Sequence, residues 1–405
     1  MSLRPGMTLG RPQAPACIAC SKAKRRCGRE LPSCRRCRIR HAPCTYPSLS
    51  RTESSREAPL TPPTDHVQTS RPTPSADEQF SSPFAPSVPS ALSAQQRQTG
   101  LPWFLSPSSW DVDHVPVPED ARCVYPTSGV EYFVEQMKTW FDQWALENQC
   151  PIIHLRLYGS DLPNPLQSAL ATWITYRAAV TPPSSKIALQ MAKDWSQALV
   201  DTQSVPDLFE SNGPCLITHL SRTQSLLMFE LICLFDGDVA SRAHGESILP
   251  VLVNWVDALF RKAKIDASTE HHLDPEALLN QPSITQLATD GTNASNWRAW
   301  ILSESIRRTW LAASLLNAAF GMMKDVYTVC PGSIIFSLRT GLWSAAGPRE
   351  WLTAVEKESS VKEFVSCRRL DTLYTTAKAS DVDELGQVLL AYSRGQEALE
   401  DWIGT

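Results

Sequence analysis

Six of the twelve cysteines in this 405-residue chain stand between Cys17 and Cys44, separated in turn by two, six, six, two and six residues. Cys17, Cys20 and Cys27 form one Cys-x2-Cys-x6-Cys run, and Cys34, Cys37 and Cys44 repeat it. A two-residue gap lets both sulfurs of a pair reach one metal from a single turn of chain, and the six-residue excursion returns a third. Structural zinc takes four ligands, so two zincs need eight sulfur bonds, and six thiolates supply eight only if two of them bridge. One zinc would leave two thiols idle. The spacing therefore predicts two Zn2+ per chain, against a redox or disulfide cluster or a different zinc fold. His41 lies within the array but is surplus to the six sulfurs, and reads as a surface or phosphate-facing residue.

The same segment is strongly basic. Residues 1–50 hold 11 Lys and Arg against the single acid Glu30, whereas the remainder holds 27 bases and 41 acids. A basic head on an acidic body is the electrostatic footprint of a polyanion binder. Two zincs and six thiolates make the cluster itself slightly anionic, so attraction for DNA must come from the side chains around it. Those side chains are Lys22, Lys24, Arg25, Arg26, Arg35, Arg36 and Arg38, with Arg29 and Arg40 flanking. The stretch from Cys17 to Arg25 contains no helix breaker and should form a short helix, held by metal rather than by its own propensity. Such a helix can enter a major groove, where Lys or Arg donates to guanine O6 and N7.

The six cysteines, the basic loop between Cys20 and Cys27, and Pro32 ahead of Cys34 resemble the fungal binuclear zinc-cluster transcription factors. The resemblance covers under a tenth of the chain and is highly specific. It implies that Cys17 and Cys34 are the bridging ligands and that Pro32 shapes the turn joining the two halves. It also implies that Lys24, four places after the second cysteine, reads a CGG-type triplet, with Arg25, Arg26, Arg35, Arg36 and Arg38 mostly holding phosphates, which position without reading sequence. Family members usually carry Arg directly after the second cysteine and a base two places later. Ser21 and Ala23 stand there, which bears on the CGG preference more than on DNA binding. The resemblance further implies a nuclear protein, without enzymatic activity, acting on double-stranded DNA through RNA polymerase II transcription.

These elements need a frame. The cluster domain is expected over residues 15–47, with two short helices. From Ser48 to Val124 the chain is rich in Pro, Ser and Thr and has twelve prolines, the composition of a disordered linker. Flexible-chain scaling gives that tether a reach on the order of 50 Å. Residues 125–405 are expected to form a predominantly all-α regulatory domain. Val130, Phe133, Val134, Met137, Trp140, Phe141 and Trp144 recur at three- and four-residue steps, marking one buried helical face that Pro151 should close. Asn164, Pro165 and Gln167 announce the next helix by N-cap, first position and capping box, with Pro182 and Pro183 as its stop. Further helices are expected over Lys186–Val200, Leu216–Phe235, Ser247–Lys264, Trp297–Lys324 and Asp383–Tyr392, with one strand over Ser333–Leu338. Within this body, Phe235–Asp238, the Trp297–Trp310 helix and Gly341–Trp343 resemble, diffusely, the helical regions of regulators of metabolic or secondary-metabolite gene clusters.

Catalysis finds no support: the chain lacks Gly-x-Ser-x-Gly, Gly-x4-Gly-Lys, Gly-x-Gly-x-x-Gly and His-Glu-x-x-His. The most apolar stretch, Leu216 to Phe235, holds His219, Arg222, Gln224 and Glu230, too polar for a membrane span. A triplet recurs too often to single out a gene among roughly 10⁶ sites, so a second module is expected, from a homodimer or a partner transcription factor. The linker offers no heptads for it. Two rival readings stand beside transcriptional control: a metabolite-sensing receptor, and a zinc- or RNA-binding protein without sequence-specific DNA readout. Residues 371–405 interleave acids with Leu385, Leu389, Leu390, Tyr392 and Trp402, which fits either an activation segment for coactivators or the closing helix of the body.

Overall fold

The computed structural model describes residues 17–23, 25, 27, 34–40, 44, 102–113, 123–159, 161–202, 215–268 and 293–404. The chain divides into two compact units, Met1–Ala85 and Pro86–Thr405. In the first, two five-residue helices, α1 (Ile18–Lys22) and α2 (Arg35–Ile39), each start directly after a cysteine. The two starting residues share one backbone conformation: Cys17 has φ −61° and ψ 152°, Cys34 φ −67° and ψ 149°. The sequence repeat is therefore a structural repeat. Helices this short do not persist on their own propensity; what they wrap around is the cysteine cluster, with Cys17, Cys20, Cys34 and Cys37 buried.

The second unit is mostly helical. α3 (Thr127–Glu147) buries Val130, Phe133, Val134, Met137, Trp140, Phe141 and Trp144, the face its periodicity marked. It ends on Asn148, whose φ of 57° lets its N–H close on Trp144 O at 2.9 Å; asparagine tolerates this left-handed cap, and Pro151 merely follows. α4 (Asn164–Arg177) lacks the anticipated capping box: Asn164 lies inside the helix, makes no cap bond, and Gln167 instead donates to Leu162 O at 2.6 Å. Pro182 and Pro183 do not stop α4, which ends at Arg177, but open α5 (Pro182–Asp201), capped by a Thr181–Ser184 capping box. Proline suits a first turn because the N–H it lacks would have no helical partner there.

α6 (Leu216–Leu231) widens into a π-turn at Ile232–Asp236, α7 spans Val239–Ser268 with Pro250 inside it, and α8 spans Asn293–Asp325. The expected strand shrinks to β1 (Ile335–Phe336), paired antiparallel with β2 (Val365–Ser366) through Ile335↔Ser366 and Phe336↔Val365. α9 (Pro348–Glu356), α10 (Leu373–Thr376), α11 (Glu384–Arg394) and α12 (Gln396–Gly404) complete the unit. α8 packs on α7, α6 and α3, and α3 on α11. At Gly129 the last pair comes so close that a Cβ would sit 2.2 Å from Ala391 O. Leu385, Leu389, Leu390 and Tyr392 are buried in α11, so this helix closes the core and cannot offer those residues to a coactivator while folded.

The linker expectation is overturned at its C-terminal end. Residues 102–113 fall inside the predicted linker, yet two 3-10 turns, Trp103–Leu105 and Pro107–Trp110, bury Trp103, Phe104, Leu105 and Trp110 in the core. Four large apolar side chains in eight residues outweigh the Pro and Ser around them. This strap lies on Arg307, a fully buried guanidinium that donates through Nη2 to Ser109 Oγ (2.8 Å) and Phe104 O (3.2 Å) and stacks 3.9 Å from the Trp110 ring centroid. Its neighbour Arg308 ties three distant segments to its own helix. It donates to Glu304 Oε1 (3.2 Å), Pro151 O (3.1 Å), Ser337 O (2.9 Å) and Asp383 Oδ2 (2.5 Å), and lies over Trp343.

Candidate metal centre

In the N-terminal unit all six sulfurs come together. Two groups of four form, Cys17, Cys20, Cys27 and Cys34, and Cys17, Cys34, Cys37 and Cys44, each with its sulfurs within 4.8 Å of one another. Cys17 and Cys34 belong to both. Sulfur separations are 3.8 Å for Cys17–Cys34, 3.8 Å for Cys17–Cys37 and 3.6 Å for Cys20–Cys34. A tetrahedral zinc with bonds of about 2.3 Å sets its ligands about 3.8 Å apart, so the donor set fits two zincs sharing an edge.

Electrostatics agrees with that fit. The backbone N–H of Cys37 is the main influence bringing the Cys34 thiol down to about 6, aided by the thiols of Cys37, Cys20 and Cys17. Burial pushes Cys37 up to about 12. For Cys17 the Cys20 N–H pulls downward, but burial and the neighbouring thiols outweigh it and leave the thiol raised. Thiols packed this closely cannot all ionise by themselves, and divalent cations between them supply the missing positive charge. Three of the sulfurs also accept backbone bonds, Cys20 N to Cys17 Sγ (3.4 Å), Cys17 N to Cys27 Sγ (3.5 Å) and Cys34 N to Cys44 Sγ (3.3 Å), which orient them inward. Cys17, Cys20 and Cys34 are closed off from solvent.

Around this centre Lys22 closes α1, and with Arg25, Arg38 and Arg40 is exposed. Arg36 behaves differently. It is half-buried and its Nη1 lies 3.9 Å from Cys20 Sγ, so it offsets thiolate charge, a role its place in a basic run did not signal. Lys24 and Arg26, expected to touch DNA, lie outside the described residues, as do Pro32, His41 and the side chain of Arg35.

Residues 15–53 match the model of the fungal Zn(2)-Cys(6) binuclear cluster domain, a domain that binds two zinc ions. A Penicillium aethiopicum protein described as transcription factor gsfR2 is 23% identical over 413 residues, spanning 96% of this chain and 94% of that one. A Neocamarosporium betae protein described as an aspyridones cluster regulator is 43% identical over 49 residues, 12% of each chain. Both relatives are regulators rather than enzymes by their descriptions. No solved structure matches the chain. No helix among the described residues is long and apolar enough to cross a membrane.

Proposed function

We propose that this fungal zinc-cluster transcription factor holds its two zincs with Cys17, Cys20, Cys27, Cys34, Cys37 and Cys44, and uses the head so formed to read CGG-like triplets in duplex DNA. The observation that carries the reading is the pair of sulfur quartets sharing Cys17 and Cys34. Shared ligands lock α1 and α2 into one unit smaller than a stable apolar core allows, and that unit presents Lys22, Arg25 and Arg38 on its surface. In this reading Lys24 makes the base contact, while Lys22, Arg25, Arg26, Arg35 and Arg38 neutralise phosphates. Arg36 supports the cluster. The head acts in the nucleus, with a second head supplied by another copy or a partner factor, and the unit from residue 102 onward is regulatory. Control of a metabolic gene cluster is supported by the description of the Neocamarosporium betae relative as an aspyridones cluster regulator.

A gel-shift series with the zinc-loaded chain tests it, using a CGG-containing duplex, a scrambled duplex and single-stranded RNA. Lys24→Ala should cost about 1 to 3 kcal/mol on the CGG duplex and flatten the preference, and Arg38→Ala should weaken both duplexes alike. Equal losses from both changes would show that Lys24 does not read bases. Preference for RNA would replace the reading with that of an RNA-binding protein.

A further inference from the structure

Between the strap and the helices beneath it lies a cavity of about 180 Å³. Its walls are Trp103 and Phe104 from the strap, Trp300 from α8 and Trp351 from α9, with Glu363 the one charged residue among its lining. The rings pack on one another: Trp103–Phe104, Phe104–Trp351 and Trp300–Trp351 centroids are 5.9, 6.2 and 5.8 Å apart. Glu363 is exposed. The Nε1–H of Trp351, buried, has no partner.

Aromatic faces carry negative potential, and a cation within about 6 Å of several of them is attracted without needing a formal ion pair, tryptophan being the strongest such wall. Three tryptophans and a phenylalanine around one space suit a cation whose charge is spread over methyl groups: Glu363 is the only charged residue of the lining, and the guanidiniums behind the walls, Arg307, Arg308 and Arg339, are engaged by the carbonyls of Phe104, Ser337 and Val355. A compact, strongly hydrated ammonium would lose too much hydration on entering. Size agrees, since a cavity of about 150 Å³ accommodates benzene, whose bulk is close to that of a trimethylammonium group. Trp103 is the one wall already carrying a cation, Arg307, 5.1 Å from its centroid. Trp300 and Trp351 have no such competitor among the described contacts, and the orphaned Trp351 N–H can bond an oxygen carried near the ammonium. We infer that this cavity binds a quaternary ammonium group, borne by a small choline-like molecule or by a trimethylated lysine of a protein tail.

Titration of the full-length, zinc-loaded chain tests this independently of DNA binding. The probes are choline, its neutral isostere 3,3-dimethylbutan-1-ol, and a short peptide bearing trimethyllysine beside its unmethylated form. Choline or the trimethylated peptide should bind at least about fivefold more tightly than its uncharged or unmethylated counterpart. Whichever is tighter identifies the source. Glu363→Gln, a surface change that leaves the fold intact, should weaken the cation severalfold and leave the isostere unaffected. Equal binding of choline and its isostere would reduce the site to an ordinary apolar cavity, and no saturation by any probe at millimolar concentration would remove it. Cation binding insensitive to Glu363→Gln, with no chemical-shift change at the Trp300 and Trp351 indoles, would place the ligand elsewhere and overturn the assignment.

Discussion

Cys17 and Cys34 stand apart from the other four cluster cysteines in that their sulfurs lie within both quartets. If they bridge, Cys17→Ala or Cys34→Ala strips a ligand from both metals at once, whereas Cys27→Ala or Cys44→Ala strips one. Native mass spectrometry should then find close to two zincs per chain in the parent, close to none in the first pair of variants, and a partly loaded population in the second. Identical loss from all four would sink the shared-ligand model. In the body, Glu230 is the residue that most repays attention: it is 1% exposed and its Oε2 has no partner. Burial holds its carboxyl well above the ordinary range. A carboxyl raised on folding takes up a proton, so its contribution to stability declines as pH rises from the ordinary carboxylate range towards the folded value. Glu230→Gln should therefore leave the melting temperature nearly unchanged at pH 4 and raise it at pH 7 to 8. A variant that melts lower than the parent at neutral pH would mean the carboxylate has a structural partner.

Among the elements, those governed by local periodicity could be read from the chain. The apolar steps from Val130 to Trp144 gave α3 its buried face, and the extents of α6 and α8 were close for the same reason. What escaped depended on position or on distant partners. Pro182 reads as a stop or a start according to whether a cap precedes it, and Thr181 supplies that cap. Glu304 and Arg308 do pair at i,i+4, but Pro151, Ser337 and Asp383 reach Arg308 from sequence-remote places. The gathering of the six cysteines was legible because cysteine spacing is itself the geometry, while the turn of Arg36 towards Cys20 needs the folded chain. α11 was ambiguous by pattern and is decided by burial: Leu389 is 3% and Leu390 0% exposed. Each Leu→Ala change in such a place costs about 2 to 5 kcal/mol. Leu389→Ala with Leu390→Ala should lower the melting temperature steeply, and residues 371–405 fused to an unrelated DNA-binding domain should be silent in a reporter assay. An active fusion, with the doubly substituted body still stable, would restore the activation reading.

Over the molecule as a whole, the informative boundary is the one between linker and body. Averaged composition places it at residue 125, because Pro, Ser and Thr dilute the aromatic residues of the strap, whereas burial places it near Pro102. A body fragment starting at residue 125 would lose Trp103, Phe104, Leu105 and Trp110 from its core and leave Arg307 without Ser109 and Phe104. It should melt well below a fragment starting at residue 102, or fail to fold, in a calorimetric comparison; equal melting would make the strap dispensable. The strap also fixes where mechanical load enters. Any pull on the chain ahead of Pro102 reaches Pro102–Trp110 before it reaches α3. It is borne by aromatic anchors packed across α8 and α7, so such tension is spread into the centre of the body before it can fray the end of any helix.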